Sequence, residues 1–269
     1  MILWCDGAHS PEENMRRDQA LLAALEAGHD PSPPGGDGPE AVLRLFRFTP
    51  HGITLGHSQS PERVLDLARC RADQVPWAVR PTGGRAIFHA EEWTYSLAAS
   101  IGDPRWGGSL AEAYGRASEL VLRSLLRLGV PAALVQPGRP ESGGRERAQA
   151  ACFAATARHE IVLAGRKLAG SAQRRGARAL LQQGSVLLGP GHVRLADYLA
   201  LPDGRRAAAR AELAAAAAHA GSWLGAGAPL ERWADALARE LPAGARRFDA
   251  AAGAFLLTLA EAGSYTARS

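Results

Sequence analysis

His159-Glu160-Ile161-Val162-Leu163, Lys167-Leu168-Ala169-Gly170-Ser171-Ala172-Gln173 and the run from Ala179 to Leu188 follow one another with only short connections between them. Each is apolar-rich and bounded by glycine or arginine, as a strand should be. Strands in such close succession form an antiparallel meander, because parallel pairing needs a crossover of about a dozen residues or more. A doubly wound parallel sheet is thereby disfavoured.

Upstream, Ala41 to Thr49 alternates apolar residues with arginines, and Trp93 to Ala99 has β-type composition. Trp77 to Arg80 and Ala86 to His89 read as two strands flanking a glycine turn. Helices are announced by their caps. Ser10-Pro11-Glu12-Glu13 starts a helix that runs through Leu21, Leu22 and Leu25 to stop near Gly28, with Glu13 completing a capping box. Ser60-Pro61-Glu62 opens a short helix carrying Cys70. Ser109 and Glu112 form a second capping box, ahead of a helix through Leu120, Leu125 and Leu128 that ends at Gly129. Residues 30–39 and 136–149 have loop composition. From Arg194 onward the chain is alanine-rich; Leu230, Trp233 and Leu237 keep helical spacing, as do Phe248, Phe255 and Leu259. The fold class is α+β: a largely antiparallel or mixed sheet with flanking helices, and a helical C-terminal section packed on it.

The 269 residues are 46% hydrophobic and 22% charged, which excludes a wholly disordered chain. No run approaches the roughly 18 consecutive apolar residues of a membrane span. Met1-Ile2-Leu3-Trp4-Cys5-Asp6 lacks the basic and long apolar regions of a secretion signal. The three cysteines, Cys5, Cys70 and Cys152, are too few and too widely spaced for a disulfide framework or a metal cluster. A reduced cytoplasmic protein is expected. The net charge of +4 favours acidic partners. With aromatics at 6% and no basic stripe interleaved with them, nucleic acid is not expected among those partners. Of the 31 cationic side chains, 30 are arginine and one, Lys167, is lysine. Arginine serves as well as lysine on a solvated surface, so a lone surviving lysine points to chemistry that needs a compact ammonium.

Three segments could carry chemistry. In Arg80-Pro81-Thr82-Gly83-Gly84-Arg85-Ala86-Ile87-Phe88-His89 the glycines would let backbone amides approach an anion. A plain hairpin turn is the commoner reading of such a pair. Cys152, at the edge of the loop 136–149, is placed to react if a cation favours its thiolate. The commoner fate of a lone cysteine is burial, and Cys5 and Cys70 fit that fate. In Gly165 to Gln173, strand alternation would put Lys167, Ala169 and Ser171 on one face. A lysine guarding an edge strand is the bland alternative. The absence of any other lysine argues against it, and Lys167 lies close in sequence to Cys152, a cation near a candidate nucleophile.

Together these segments resemble the lipoate-protein ligase and octanoyltransferase family, whose fold is that of the biotin-protein ligase catalytic domain. The family's glycine motif is matched by Val79 to Ala90 and then Glu92-Trp93-Thr94-Tyr95-Ser96, and its lysine motif by Gly165 to Gln173. Gln182 to Leu188 resembles its Leu-Gln-His-Gly-Ser strand, with Gln183 in place of histidine. Asn14, Met15 and Asp18, and Leu55 to Gln59, are further matches. Val79 stands where the family has a first arginine, and Ala90 where it has an aspartate after the histidine. The resemblance implies a catalytic domain over residues 1–200 and a helical extension over 201–269. It implies that Cys152 is the acyl-thioester nucleophile and that Lys167 lowers its pKa and holds the acyl carbonyl. Arg80, Gly83, Gly84, Arg85, Ala86, Ile87, His89, Gly170 and Ser171 would bind substrate, His89 serving as a base or a structural group. The implied donor is octanoyl-acyl carrier protein. The implied acceptor is a lysine of a lipoyl-domain protein, foremost the glycine-cleavage H protein.

No metal or cofactor is implied; ATP and magnesium enter only if the chain is a lipoate-protein ligase. An amidotransferase moving octanoyl or lipoyl groups between lipoyl domains would share Cys152 and Lys167. A non-catalytic acyl-binding protein on the same fold would need only apolar walls, which leaves Lys167 without a purpose.

Overall fold

The computed structural model describes residues 1–28, 41–135, 160–202 and 204–251. The loops expected at 30–39 and 136–149, together with Cys152, Phe255 and Leu259, lie outside the described residues.

Strand β1 (Ile2–His9) leads into helix α1 (Pro11–Glu26), whose N-cap Ser10 accepts from the Glu13 amide at 3.2 Å. The return half of the expected capping box is replaced, because the Glu13 carboxylate turns to Arg16 and Arg17 at 2.8 and 2.6 Å. Two sheets follow. The smaller contains β3 (Gly52–Leu55), β4 (Trp77–Val79) and β5 (Ile87–His89) in the order β4-β3-β5. The glycine segment is therefore not a hairpin turn. Connection 80–86 straddles β3, which pairs parallel with β4 and antiparallel with β5. A tight turn would have to span two strand spacings, about 10 Å. Between β3 and β4 the expected single helix is two, α2 (Pro61–Val64) and α3 (Leu67–Ala72), with Asp66 capping the second.

The larger sheet adds β2 (Val42–Phe48), β6 (Glu92–Ser100), β7 (Ala133–Leu134), β8 (Ile161–Leu163), β9 (Arg166–Arg175), β10 (Ala179–Leu187) and β11 (Arg246–Phe248), in the order β11-β1-β2-β6-β10-β9-β8-β7. As expected, β8, β9 and β10 form an antiparallel meander. The sheet is mixed only at one side, where β11, β1 and β2 run parallel. Phe248, whose spacing predicts a helix, instead ends strand β11, where it packs against the Ile2 and Trp4 cluster and pairs the edge of β1.

Helix α4 (Leu110–Arg127) carries the full Ser109/Glu112 capping box and covers one face of the large sheet. The later helices are α5 (Leu195–Tyr198), α6 (Arg205–Ala216), α7 (Gly221–Leu224) and α8 (Leu230–Ala238). Helix α8 joins α4 on the same face, where Trp233 stacks on Trp93 (5.3 Å between centroids) and its Nε1 donates to Ser124 Oγ at 2.8 Å. Helix α1 covers part of the opposite face through Leu21, Leu22 and Leu25. Beyond it, that face meets the small sheet, and the candidate site lies between the two. No helix among the described residues is long and apolar enough to cross a membrane.

Candidate active site

A pocket of about 220 Å³ opens between the sheets. Phe46 and Phe48 of β2, Ile87 of β5 and Met15 of α1 give it apolar walls; Thr94, Gln183 and Ser185 supply polar groups from β6 and β10. That volume is below the roughly 300–1,000 Å³ of sites for drug-sized ligands, and suits a slender apolar chain.

Lys167 and Glu160 put a buried ion pair into the pocket wall. The Lys167 ammonium pairs with the Glu160 carboxylate, both side chains being 4% exposed. Local backbone geometry makes this possible. Ile161 pairs with Ala169 but Val162 pairs with Lys167, so Leu168 is an extra residue, a β-bulge. The bulge breaks the alternation that sequence periodicity predicts. Lys167 turns into the pocket beside Gly170, whereas Leu168 and Ala169 both enter the core under α4. The expected common face of Lys167, Ala169 and Ser171 is thereby corrected. Ser171 borders the pocket, yet its hydroxyl bonds Tyr95 Oη at 2.9 Å, and the Tyr95 ring belongs to the α4-side core.

The glycine segment is held from several sides. Arg80 donates through Nε and Nη2 to the Gly83 carbonyl (3.1 and 2.7 Å), and through Nη2 to the Arg85 carbonyl (2.8 Å). His57 donates its amide to the Thr82 carbonyl at 2.9 Å. The segment also presses against Gly56, where a Cβ would lie 2.0 Å from the Gly84 carbonyl oxygen. Gly84 itself has φ +95°, a left-handed conformation natural only to glycine. No acceptor meets the Gly83 or Gly84 amide among the described residues. Of these two glycines, Gly84 borders the pocket.

His89 is buried and tied at both nitrogens. Nδ1 lies 2.5 Å from Glu92 Oε1 and Nε2 lies 2.7 Å from Thr54 Oγ1, while the ring stacks on Phe48 at 3.8 Å. Glu92 Oε1 also receives Thr94 Oγ1 at 2.8 Å and Ser185 Oγ at 3.1 Å. Glu92, three residues on and the first residue of β6 in the larger sheet, thus supplies the carboxylate that Ala90 cannot. Both His89 nitrogens are engaged and the ring orientation is fixed.

Of the residues singled out in the sequence, the structure brings Arg80, Gly84, Arg85, Ile87, His89, Lys167, Gly170 and Ser171 to one pocket. Gly83 enters only through its connection, and Ala86 is packed in the core beneath the small sheet with Phe88 and Leu195. Cys152 lies outside the described residues. Glu160, Phe46, Phe48, Thr54, Thr94 and Ser185 are among the further members. Glu160 falls inside the strand expected from His159, but the observed β8 starts one residue after it, and only its pairing with Lys167 reveals which way it points. Burial pushes the thiols of Cys5 and Cys70 above the ordinary cysteine range, as suits the structural role expected for them.

The comparisons agree with this geometry. The octanoyltransferase LipM of Kyrpidia tusciae is 36% identical over 186 residues, 68% of this chain and 64% of that protein. LipM of Symbiobacterium thermophilum is 36% identical over 201 residues, 74% of this chain and 69% of that protein. The matched stretch therefore spans just under two thirds of the first relative. Among solved structures, the bipartite lipoate protein ligase of Thermoplasma acidophilum superposes with a TM-score of 0.66 at 19% identity, covering 97% of this chain and 91% of that one. A lipoate-protein ligase A bound with ATP gives 0.63 at 17% identity, covering 97% and 94%. At these identities the likeness is one of fold. The profile of the lipoyl protein ligase A/B catalytic domain matches residues 10–241, and the chain belongs to that family.

Proposed function

We propose that the protein is an octanoyltransferase of protein lipoylation, working through a thioester on Cys152. The observation that carries this reading is the buried Lys167–Glu160 pair set into the wall of a small, mostly apolar pocket. Such a pocket accepts an eight-carbon chain, and the ammonium meets its carbonyl. The names of the relatives agree with it.

In the first step the Cys152 thiolate attacks the thioester carbonyl of octanoyl-acyl carrier protein. A new carbon–sulfur bond forms, the carrier thiolate leaves and takes up a proton. In the second step the neutral ε-amine of a lysine on a lipoyl-domain protein, with the glycine-cleavage H protein foremost, attacks the Cys152 thioester. An amide forms, the Cys152 thiolate leaves, and the amine's proton passes to solvent or to a neighbouring base. Each tetrahedral intermediate places negative charge on the former carbonyl oxygen. The Lys167 ammonium and the Gly83 and Gly84 amides are the donors to receive it, and stabilisation of this kind is usually the largest contribution to rate. His89, bonded at both nitrogens, positions the pocket wall. The net charge of +4 suits acidic carrier and lipoyl proteins. Neither metal nor nucleotide takes part; residues 1–200 form the catalytic unit and 201–269 its extension.

Intact mass spectrometry after mixing with octanoyl-acyl carrier protein, without ATP, tests this. The expected result is one octanoyl adduct that hydroxylamine removes and that Cys152→Ser never forms. Loading only from an octanoylated lipoyl domain would make the protein an amidotransferase. Activity only with free acid and ATP would make it a ligase. Tight octanoate binding without any turnover would make it a binding protein.

A further inference from the structure

Behind the pocket lies a buried polar network that the proposed chemistry does not use. Arg44, fully buried, donates from Nε to Asp6 Oδ2 (2.7 Å), from Nη1 to Asp18 Oδ1 (2.7 Å) and from Nη2 to Asn14 Oδ1 (2.6 Å), with Phe46 4.0 Å from its guanidinium carbon. Arg17 adds a second cation on Asp6 Oδ1 at 2.5 Å, so two arginines balance two aspartates. Asp18 Oδ1 also receives Ser96 Oγ at 2.6 Å. The remaining oxygen, Asp18 Oδ2, accepts from Gln183 Nε2 at 2.6 Å. Gln183 Oε1 in turn accepts from Thr82 Oγ1 at 2.6 Å, and Thr82 opens the glycine segment.

We infer that Gln183 is a positioning residue: through Thr82 it fixes the glycine segment, and with it the Gly83 and Gly84 amides, against the buried Arg44–Asp18 pair. The orientation of its amide is dictated by chemistry. Ionised Asp18 can only accept, so the NH₂ must face it, and the carbonyl is left for the Thr82 hydroxyl. The two charge-assisted or short contacts act on groups at most 6% exposed, where a lost partner is costly. Glutamate could not take this place, since it would set a second carboxylate on Asp18. Histidine could, donating from one ring nitrogen to Asp18 and accepting at the other from Thr82. A histidine relay would be titratable; the glutamine relay is not.

This inference rests on the proposed acyl transfer for its catalytic consequence, but the positioning itself can be read without activity. The reporter is hydrogen exchange at the His57 amide, which donates to the Thr82 carbonyl. Thr82→Val removes the hydroxyl at constant shape and leaves Gln183 on Asp18. It should speed exchange at His57 about tenfold and lower kcat for octanoyl transfer about tenfold or more, with KM within about twofold and only a modest fall in melting temperature from the unmet Gln183 carbonyl. Gln183→Leu should do the same with some loss of stability. Gln183→His should restore wild-type exchange and kcat at pH 8, and add an inflection in kcat between about pH 5 and 8 that wild type lacks. Unchanged His57 exchange in Thr82→Val, or a Gln183→His profile indistinguishable from wild type, would overturn the relay. Faster exchange in a protein whose wild type transfers no octanoyl group would uphold the relay and discard the transferase reading alone.

Discussion

Lys167 does not stand in its pocket as an isolated charge. Paired with Glu160 in a setting where each side chain is 4% exposed, it forms a unit whose halves depend on one another. Removing one partner of a buried ion pair typically costs about 3–5 kcal/mol, because the other charge is left without compensation. Glu160→Gln should therefore lower the urea-unfolding free energy by about 3 kcal/mol, and the double variant Glu160→Gln/Lys167→Met should recover most of it while losing acyl transfer with the ammonium. A double variant no more stable than the single one would mean that the pair is not the unit. Lys167 is legible in the sequence because arginine has replaced every other lysine. Glu160 is not, since a carboxylate eight residues after Cys152 carries no local sign of burial. His89 shows the converse: the motif locates it, but only the fold reveals Glu92 and Thr54 on its two nitrogens.

Elements were legible where their signals are local, and failed where pairing is decided at a distance. The Ser109/Glu112 box forms as read, and Ser109→Ala should cost about 1 kcal/mol in thermal unfolding without touching transfer. Strands β8, β9 and β10 pair as their short connections require. The bulge at Leu168 and the insertion of β3 between β4 and β5 depend on partners remote in sequence, so periodicity alone assigns the wrong face to Lys167 and a hairpin to the glycines. A further element-level device is the 3-10 turn Pro190–Arg194, whose buried His192 sits with Nε2 3.3 Å from the Leu213 carbonyl of α6. Burial holds the His192 pKa below its ordinary 6.5. The unfolded chain then binds the proton first: stability is full above pH 6.5 and falls as pH drops from there through the lower folded value. The slope from this group is at most about 1.4 kcal/mol per pH unit. In urea melts between pH 7 and 5, His192→Gln should flatten that fall; an identical pH dependence would exclude His192 as its source.

At the scale of the whole molecule, the helices after residue 200 complete the cores of both sheets that enclose the site: α7 and α8 pack with the larger sheet and α6 with the smaller. Trp233 is fully buried between Trp93 and Tyr95, and replacing it with alanine should cost about 3–5 kcal/mol, visible in the denaturant midpoint. A loss below about 1 kcal/mol would show that α8 is not needed to hold the sheet. The alanine-rich composition announced helices there, but not that β11 would return to pair with β1, which requires the closed fold as a template.

One consequence follows from where the sole lysine lies. A protein that handles activated acyl groups is exposed to its own cargo, since any unprotonated surface amine is a competing acceptor. Here every other cationic side chain is a guanidinium, which stays protonated and does not acylate under such conditions. The one ε-amine is walled in beside Glu160. Reagents that acylate amines should accordingly modify the folded protein at its α-amino group alone, and reach a second position only after it unfolds. The molecule is in effect chemically silent toward the modification it is proposed to confer on others.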